Sequence, residues 1–169
     1  MVLVDTNILS VWLFAGDPNW DRIDAFLQRL GPEPIAASEI TRGEIEYGLA
    51  MGTLSAEQKA DVRTRLDAMP VFWRPVDASV ASTYGALRGA LFAKYAPRDA
   101  RGNVRKKRIE LLPLPGATAI DLQIEENDLW IASTAITLDV PIATRDQGFD
   151  AIINICPPEF AYTHPRIAP

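Results

Sequence analysis

Short apolar runs alternate along this chain with longer segments in which apolar residues return every three or four positions. The short runs are VLV (2–4), PIAAS (34–38), VFWRPV (71–76), VPIAT (140–144) and AIINI (151–155). Brief runs of this kind, bounded by polar residues, glycine or proline, are typical of buried strands. We therefore predict a strand at each of these places.

The longer segments predict amphipathic helices. The segment before Gly31-Pro32 has one apolar helical face, formed by Trp20, Ile23, Phe26, Leu27 and Leu30. Further helices are predicted over 39–51, from Ser55 to about Met69, over 79–94 and over 127–138, and Ser55 and Gln58 have the spacing of a capping box. Strands that alternate with helices predict the α/β class: a three-layer α/β/α fold with a central, mainly parallel sheet flanked by helices.

Length and composition indicate one intracellular domain. A chain of 169 residues that is 48% hydrophobic is long enough to bury roughly 70% of its unfolded surface in one core, so we expect a single domain over 1–169. The only cysteine, Cys156, has no partner for an internal disulfide, which suits a reducing compartment. The first basic residue is Arg22, unlike a signal peptide, and no apolar stretch is long enough to span a bilayer. We expect a cytoplasmic protein that does not contact membranes.

Charge is unevenly distributed. The formal net charge is −5, yet the run RDARGNVRKKR (98–108) contains six basic residues and one aspartate. This run belongs to a segment at about 95–126 that is rich in proline, glycine and charge and has no helical or strand period. We interpret the segment as a basic inserted loop. An acidic protein binds nucleic acid poorly through its overall charge, so only a local basic segment or metal-neutralised carboxylates would permit such binding.

Four acidic residues occupy positions where a parallel sheet collects ligands. Asp5 follows the first strand, Asp146 follows the strand at 140–144, and Asp128 begins a helix. Glu44 lies about one and a half turns into the helix after the second strand, so it can face the same crevice at the carboxyl ends of the strands. Carboxylates so close together repel one another, and a divalent cation relieves this repulsion. Mg²⁺ prefers such oxygen ligands.

A carboxylate-bound cation indicates a reaction class, the cleavage of phosphodiester bonds. The lone histidine, His164, lies in a proline-rich tail, and Cys156 lies in an apolar run followed by two prolines. Catalysis by histidine or by a thiol is therefore disfavoured.

Each acid also has a purely structural interpretation. Asp5 has the position of a helix N-cap, Thr41 and Glu44 have capping-box spacing, Asp128 suits the N-terminal end of a helix dipole, and Asp146 suits a turn. The proposed acidic site would be absent only if all four structural interpretations were correct at once.

Four motifs, in this order, resemble those of PIN-domain ribonucleases and most closely the VapC toxins of bacterial toxin–antitoxin pairs: VDTNIL, SEITRGEIEYG, NDLWIASTA and TRDQGF. The resemblance covers residues 2 to about 150. It implies that Asp5, Glu44, Asp128 and Asp146 form an acidic catalytic site for Mg²⁺ or Mn²⁺, with Thr6, Asn7 and Thr144 as polar support that contacts substrate.

The resemblance also implies partners. It predicts a homodimer, an RNA substrate such as transfer RNA or a ribosomal RNA loop, and a small antitoxin whose tail crosses the active-site groove. The basic insertion departs from the family pattern. We hypothesise that Arg105, Lys106, Lys107 and Arg108 bind the RNA backbone; an acidic antitoxin docked there, or a solvated loop, is the alternative.

Two other function classes compete. A non-catalytic PIN-fold interaction module would not need the acids. A phosphoaspartate phosphatase needs a second aspartate at the position of Asn7, and a receiver protein needs one after a middle strand, a position to which Asp77 corresponds only loosely.

Overall fold

The computed structural model describes residues 1–95, 100–102 and 124–169. These residues form two compact units. The first contains Met1–Pro75, Val140–Arg145 and Arg166–Pro169, and the second contains Val76–Asp139 and Asp146–Pro165. The predicted single domain over 1–169 stays a prediction, and most of the predicted insertion at about 95–126 lies outside the described residues.

A parallel sheet organises the first unit. Its strands are β1 (Val2–Val4), β2 (Ile35–Ser38), β3 (Phe72–Arg74) and β4 (Ile142–Ala143). Within the described residues they form a four-stranded sheet in the order β3-β2-β1-β4, and each neighbouring pair is parallel. All strands therefore end at the same edge of the sheet, where the residue after β1 is Asp5 and the residue after β4 is Thr144.

Helices of the first unit alternate with these strands in the sequence and flank the sheet. They are α1 (Thr6–Leu13), α2 (Trp20–Arg29), α3 (Glu39–Met51) and α4 (Ala56–Ala68). Ile8, Leu9, Ile23, Leu27 and Leu66 are almost fully buried in one hydrophobic cluster with Val2 and Val4 of β1. The α/β class with a central parallel sheet flanked by helices is confirmed.

Polar residues fix where the helices of the first unit begin. The Ser38 hydroxyl accepts from the main-chain N–H of Ile40 and starts α3 directly after β2. Ser55 and Gln58 form the predicted capping box, since the Ser55 hydroxyl accepts from the Gln58 N–H and the Gln58 side chain accepts from the Ser55 N–H. Such caps satisfy N–H groups that have no partner inside the helix.

The described part of the second unit is helical. It contains α5 (Ala78–Tyr95), α6 (Glu126–Leu138), α7 (Gly148–Ile153) and a 3₁₀ turn, Pro158–Phe160. Helices α5 and α6 pack side by side: the Thr83 and Thr137 hydroxyl oxygens lie 2.8 Å apart, and the Tyr84 and Trp130 rings stack with centroids 3.8 Å apart. Both helices were predicted within two residues of their observed starts.

The strand predicted over 151–155 is wrong. Residues 148–153 form the helix α7, in which Phe149 and Ile152 are buried three positions apart on one helical face. A short apolar run does not distinguish a strand from a helix by itself. Here helical spacing lets both side chains be buried at once, whereas in a strand they would point to opposite faces.

No helix among residues 1–95, 100–102 and 124–169 has both the length and the apolar character needed to cross a membrane.

Candidate active site

Asp5 is the most deeply buried acid of the predicted set. It is 2% exposed, at the point where β1 ends and α1 begins. Its Oδ1 accepts from the Ile8 N–H at 2.9 Å, and its Oδ2 accepts from the Asn7 side-chain amide at 3.3 Å and from the Thr144 hydroxyl. These donors offset the large cost of burying a carboxylate. The predicted capping role of Asp5 is thus observed, together with a long-range contact that capping does not require.

Thr144 connects β4 to Asp5. Its side chain is fully buried, and its hydroxyl donates to Asp5 Oδ2. Its main-chain N–H donates to the Ile167 carbonyl at 3.0 Å, and its own carbonyl accepts from Arg166 Nη1 at 3.2 Å. The structure therefore brings Thr144, which the resemblance implied as polar support, into contact with Asp5.

Glu44 lies beside the residue that follows Asp5. Helix α3 points Glu44 toward α1, where the Thr6 hydroxyl donates to Glu44 Oε2, and the hydroxyl oxygens of Thr6 and Thr41 lie 3.3 Å apart. The capping box considered for Thr41 and Glu44 is wrong, because α3 begins at Glu39 and Ser38 is its N-cap. The Glu44 carboxylate contacts another helix, α1, through Thr6.

These side chains suit a hard cation. Asp5 offers carboxylate oxygens at the end of β1, and Glu44 offers them beside the Thr6 hydroxyl. Oxygen is the ligand that Mg²⁺ and Mn²⁺ prefer. Cys156 and His164, which suit softer metals, both belong to the second unit. Within the described ranges, no three Asp, Glu, His or Cys side chains form a group that could hold a metal ion. Mg²⁺ typically takes only one or two carboxylates directly and keeps waters for its other positions.

Asp128 lies in the first turn of α6. Its carboxylate accepts from the main-chain N–H of Glu125 at 2.7 Å. The sequence offered the helix dipole as the structural interpretation of Asp128, and its position in the first turn fits that interpretation. The bond to the Glu125 N–H is an additional capping contact, which the sequence did not indicate. Asp128 belongs to the second unit, and its role in catalysis stays a prediction.

Asp146 begins the turn that leads into α7. Its Oδ1 accepts from the Gly148 N–H at 2.7 Å, so the predicted turn contact is present. The side chain is half-buried and belongs to the second unit. Its catalytic role also stays a prediction.

A polar network that the sequence did not indicate holds the first turn of α6. The Tyr84 hydroxyl donates to Glu126, and Arg88 Nη1 lies 3.1 Å from Glu126 Oε2. Burial, together with the hydrogen bond to Glu126, raises the pKa of Tyr84 to about 12. Arg88 is 7% exposed, and a buried arginine of this kind requires a charged partner. Its position in α5 among small and apolar residues was the signal available in the sequence.

Of the remaining predicted site residues, the structure describes only Asn7. Asn7 is exposed at the start of α1 and contacts Asp5. The basic residues Arg105, Lys106, Lys107 and Arg108 lie outside the described residues.

Comparison with known proteins assigns a family. The family model described as PIN domain matches residues 2–154. No curated protein sequence matches the chain significantly.

Several solved structures resemble this one. FitAcB from Neisseria gonorrhoeae is 28% identical, with a TM-score of 0.58 over 90% of this chain and 93% of that chain. VapBC2 from Rickettsia felis, bound to a DNA fragment from its promoter, is 22% identical, with a TM-score of 0.64 over 100% of this chain and 98% of that chain. VapBC-5 from Mycobacterium tuberculosis, a member of the VapBC family of toxin-antitoxin systems, is 20% identical, with a TM-score of 0.54 over 99% of this chain and 97% of that chain. Because the PIN domain model matches nearly the whole length of the chain, the chain belongs to the PIN domain family.

Proposed function

We propose that this protein is a metal-dependent endoribonuclease and the toxin of a toxin–antitoxin pair. The observation that carries the proposal is the contact between Asp5 and Thr144, with Glu44 held beside Thr6, at the carboxyl edge of the parallel sheet. This edge is where open α/β sheets bind ligands. Nuclease activity is the general property of PIN domains.

Asp5 and Glu44 are the proposed cation ligands. Asp5 is held by contacts to both of its oxygens, so it can present a fixed carboxylate to a cation. Thr6 fixes the orientation of Glu44 by donating to Oε2. Hydrogen bonds of this kind, from a neighbouring side chain to a carboxylate, orient the ligands of metal sites.

Asp128 and Asp146 are the proposed remaining acids of the same reaction, on the basis of the sequence motifs NDLWIASTA and TRDQGF. Each already accepts one main-chain N–H, which fixes the side chain in one orientation. Removing either carboxylate should therefore reduce catalysis more than removing a flexible acid on the surface would.

A divalent cation bound by carboxylates activates a water and stabilises the charge that develops when a phosphodiester is cleaved. The protein contributes fixed carboxylates and the hydroxyls of Thr6 and Thr144 to this reaction. Asn7, exposed next to Asp5, is the side chain proposed to contact the substrate. RNA is the proposed substrate because the motifs resemble those of VapC toxins most closely.

A small antitoxin is the proposed partner. Similar folds occur in complexes named FitAcB and VapBC, one of them described as a toxin-antitoxin system. A homodimer is proposed because the four sequence motifs resemble those of VapC toxins.

The decisive experiment is to incubate the purified protein with total cellular RNA in Mg²⁺ or Mn²⁺, or with a chelator, and to sequence the new fragment ends. Defined ends that appear only with the cation, and disappear in Asp5→Asn and Glu44→Gln, are expected. Cleavage that persists in the chelator or in both variants would contradict the assignment.

A non-catalytic interaction module is the second candidate, favoured by the local main-chain contacts that Asp5, Asp128 and Asp146 each make. It predicts that the acid variants bind the antitoxin normally and that the wild type leaves RNA intact. A phosphoaspartate phosphatase is disfavoured, because the residue at the position of its second acid is Asn7, whose amide donates to Asp5.

A further inference from the structure

We propose that Arg166 is a positioning residue for the acidic site and acts on Asp5 through Thr144. This inference rests on the proposed function, because it assumes that Asp5 binds a cation. Arg166 lies beyond residues 2–154, which the family model matches, and none of the four motifs contains it.

The segment Arg166–Pro169 joins the sheet beside β4. Ile167 pairs with Ala143 in a parallel bridge, in which the Ile167 N–H donates to the Ile142 carbonyl at 2.8 Å and the Ile167 carbonyl accepts from the Thr144 N–H at 3.0 Å. On its other side, β4 pairs with β1. Strand β4, which Thr144 directly follows, is thus held between β1 and this segment.

Arg166 completes the attachment of Thr144. Its Nη1 donates to the Thr144 carbonyl at 3.2 Å. The Thr144 N–H is already bonded to Ile167, so both main-chain polar groups of Thr144 are bound by adjacent residues of one segment. The same segment is tied to α2, where Arg22 Nη2 donates to the main-chain oxygen of Pro169 at 2.7 Å.

Holding the main chain of Thr144 also fixes its hydroxyl. Threonine is branched at Cβ, which restricts its side-chain torsion, so the position of Oγ1 follows from the position of the main chain. That hydroxyl donates to Asp5 Oδ2 in a fully buried contact. The contacts therefore run without a break from Arg166, through Thr144, to the proposed metal ligand.

The direction of the expected effect separates positioning from simple electrostatics. Arg166 carries a positive charge and contacts Thr144, which in turn contacts Asp5. If only this charge mattered, removing it would strengthen the binding of a cation at Asp5. Loss of a positioning contact would weaken that binding, since replacing a residue that orients a metal ligand typically lowers metal affinity by about 10-fold or more.

The test measures Mn²⁺ binding to the purified full chain by electron paramagnetic resonance of the free ion, without any RNA. Arg166→Ala should weaken Mn²⁺ affinity about 10-fold, while Arg166→Lys, which keeps a donor for the Thr144 carbonyl, should recover most of it. Arg29→Ala removes a positive charge from an exposed position on α2 of the same unit and should leave the affinity unchanged.

A double-mutant cycle tests the route through Thr144. Thr144→Val should weaken Mn²⁺ binding by itself, because it removes the hydroxyl that donates to Asp5. Adding Arg166→Ala should weaken binding little further, because Arg166 is proposed to act on Asp5 only through that hydroxyl. If Arg166→Ala proves too unstable to measure, Arg166→Met, which keeps an unbranched side chain but has no donor for the Thr144 carbonyl, replaces it in the cycle. Circular dichroism establishes that each variant is folded.

The outcomes distinguish this inference from the proposed function. Weak binding in Arg166→Ala with a non-additive cycle supports the positioning role. Unchanged or tighter binding in Arg166→Ala, or a fully additive cycle, overturns it while the metal site itself stands. A wild-type protein that binds no Mn²⁺ removes the metal site and the positioning role with it.

Discussion

The hydroxyl of Thr144 donates to the carboxylate of Asp5, although the two residues are 139 positions apart in the sequence. Both are buried, and each directly follows a strand of the same parallel sheet. The contact joins the first and the last described strands of the chain at the edge where the proposed catalysis occurs. Its loss should therefore affect stability and activity together.

Thr144→Val should test this pairing at nearly constant side-chain volume. Asp5 would keep the Ile8 N–H but lose a buried donor, which should lower the free energy of unfolding by about 1–3 kcal/mol. Thr144→Ser keeps the hydroxyl and should lose less. Urea unfolding of the three proteins measures the difference. Equal stability of Thr144→Val and wild type would show that the hydroxyl contributes nothing to the fold.

Asp128 is predicted to combine a capping contact with a catalytic role. Asp128→Asn keeps an oxygen that accepts from the Glu125 N–H, so its unfolding free energy should change by less than about 1 kcal/mol. Asp128→Ala loses the acceptor and should cost about 1 kcal/mol more. Both should abolish metal-dependent RNA cleavage. If Asp128→Asn cleaves RNA at the wild-type rate, the carboxylate serves the helix alone.

The ionisation of Tyr84 should make the free energy of unfolding depend on pH in the alkaline range. Burial and the hydrogen bond to Glu126 raise its pKa to about 12 in the folded protein, against about 10 in an unfolded chain. The folded state holds this proton more tightly, so the stabilisation is complete below about pH 10 and is lost as the pH rises through about 12. Tyr84→Phe should reduce this alkaline decline in unfolding free energy. Superimposable profiles for the two proteins would contradict the assignment.

The strands and helices around the site could be predicted because each has a local pattern. Ser55 with Gln58 marked the start of α4, and the apolar run before Asp5 marked β1. Residues 151–155 were predicted wrongly because their run is short, and only packing in the second unit selects the helix in which Phe149 and Ile152 share a face.

The site was predictable to the extent that strand ends converge. The rule that ligands bind at the carboxyl ends of parallel strands placed Asp5 at this edge of the sheet, and Thr144 was named beside it only by the resemblance; the structure joins the two by a hydrogen bond. The bond from Thr6 to Glu44 was not predictable, because it depends on how α1 and α3 face each other. Arg166 was missed for the same reason: its partner is a main-chain carbonyl distant in sequence, which no spacing identifies.

The basic run RDARGNVRKKR offers a test that depends on charge alone. If Arg105, Lys106, Lys107 and Arg108 bind phosphates, RNA affinity should fall with salt along a log–log slope of about −0.7 per contact. Replacing all four by alanine should then weaken RNA binding and flatten that slope, as measured by fluorescence anisotropy over a salt series with a catalytically inactive Asp5→Asn protein. A matched variant replaces four basic residues elsewhere that are exposed or half-buried, Arg29, Lys59, Arg63 and Arg65, and should keep the wild-type slope.

The same pair of variants decides between the two partners considered for the run. An unchanged RNA slope combined with weaker binding of an acidic antitoxin would assign the run to the protein partner. Unchanged affinity for both would leave it as a solvated segment, because phosphate contacts cannot be removed without changing the number of counterions released.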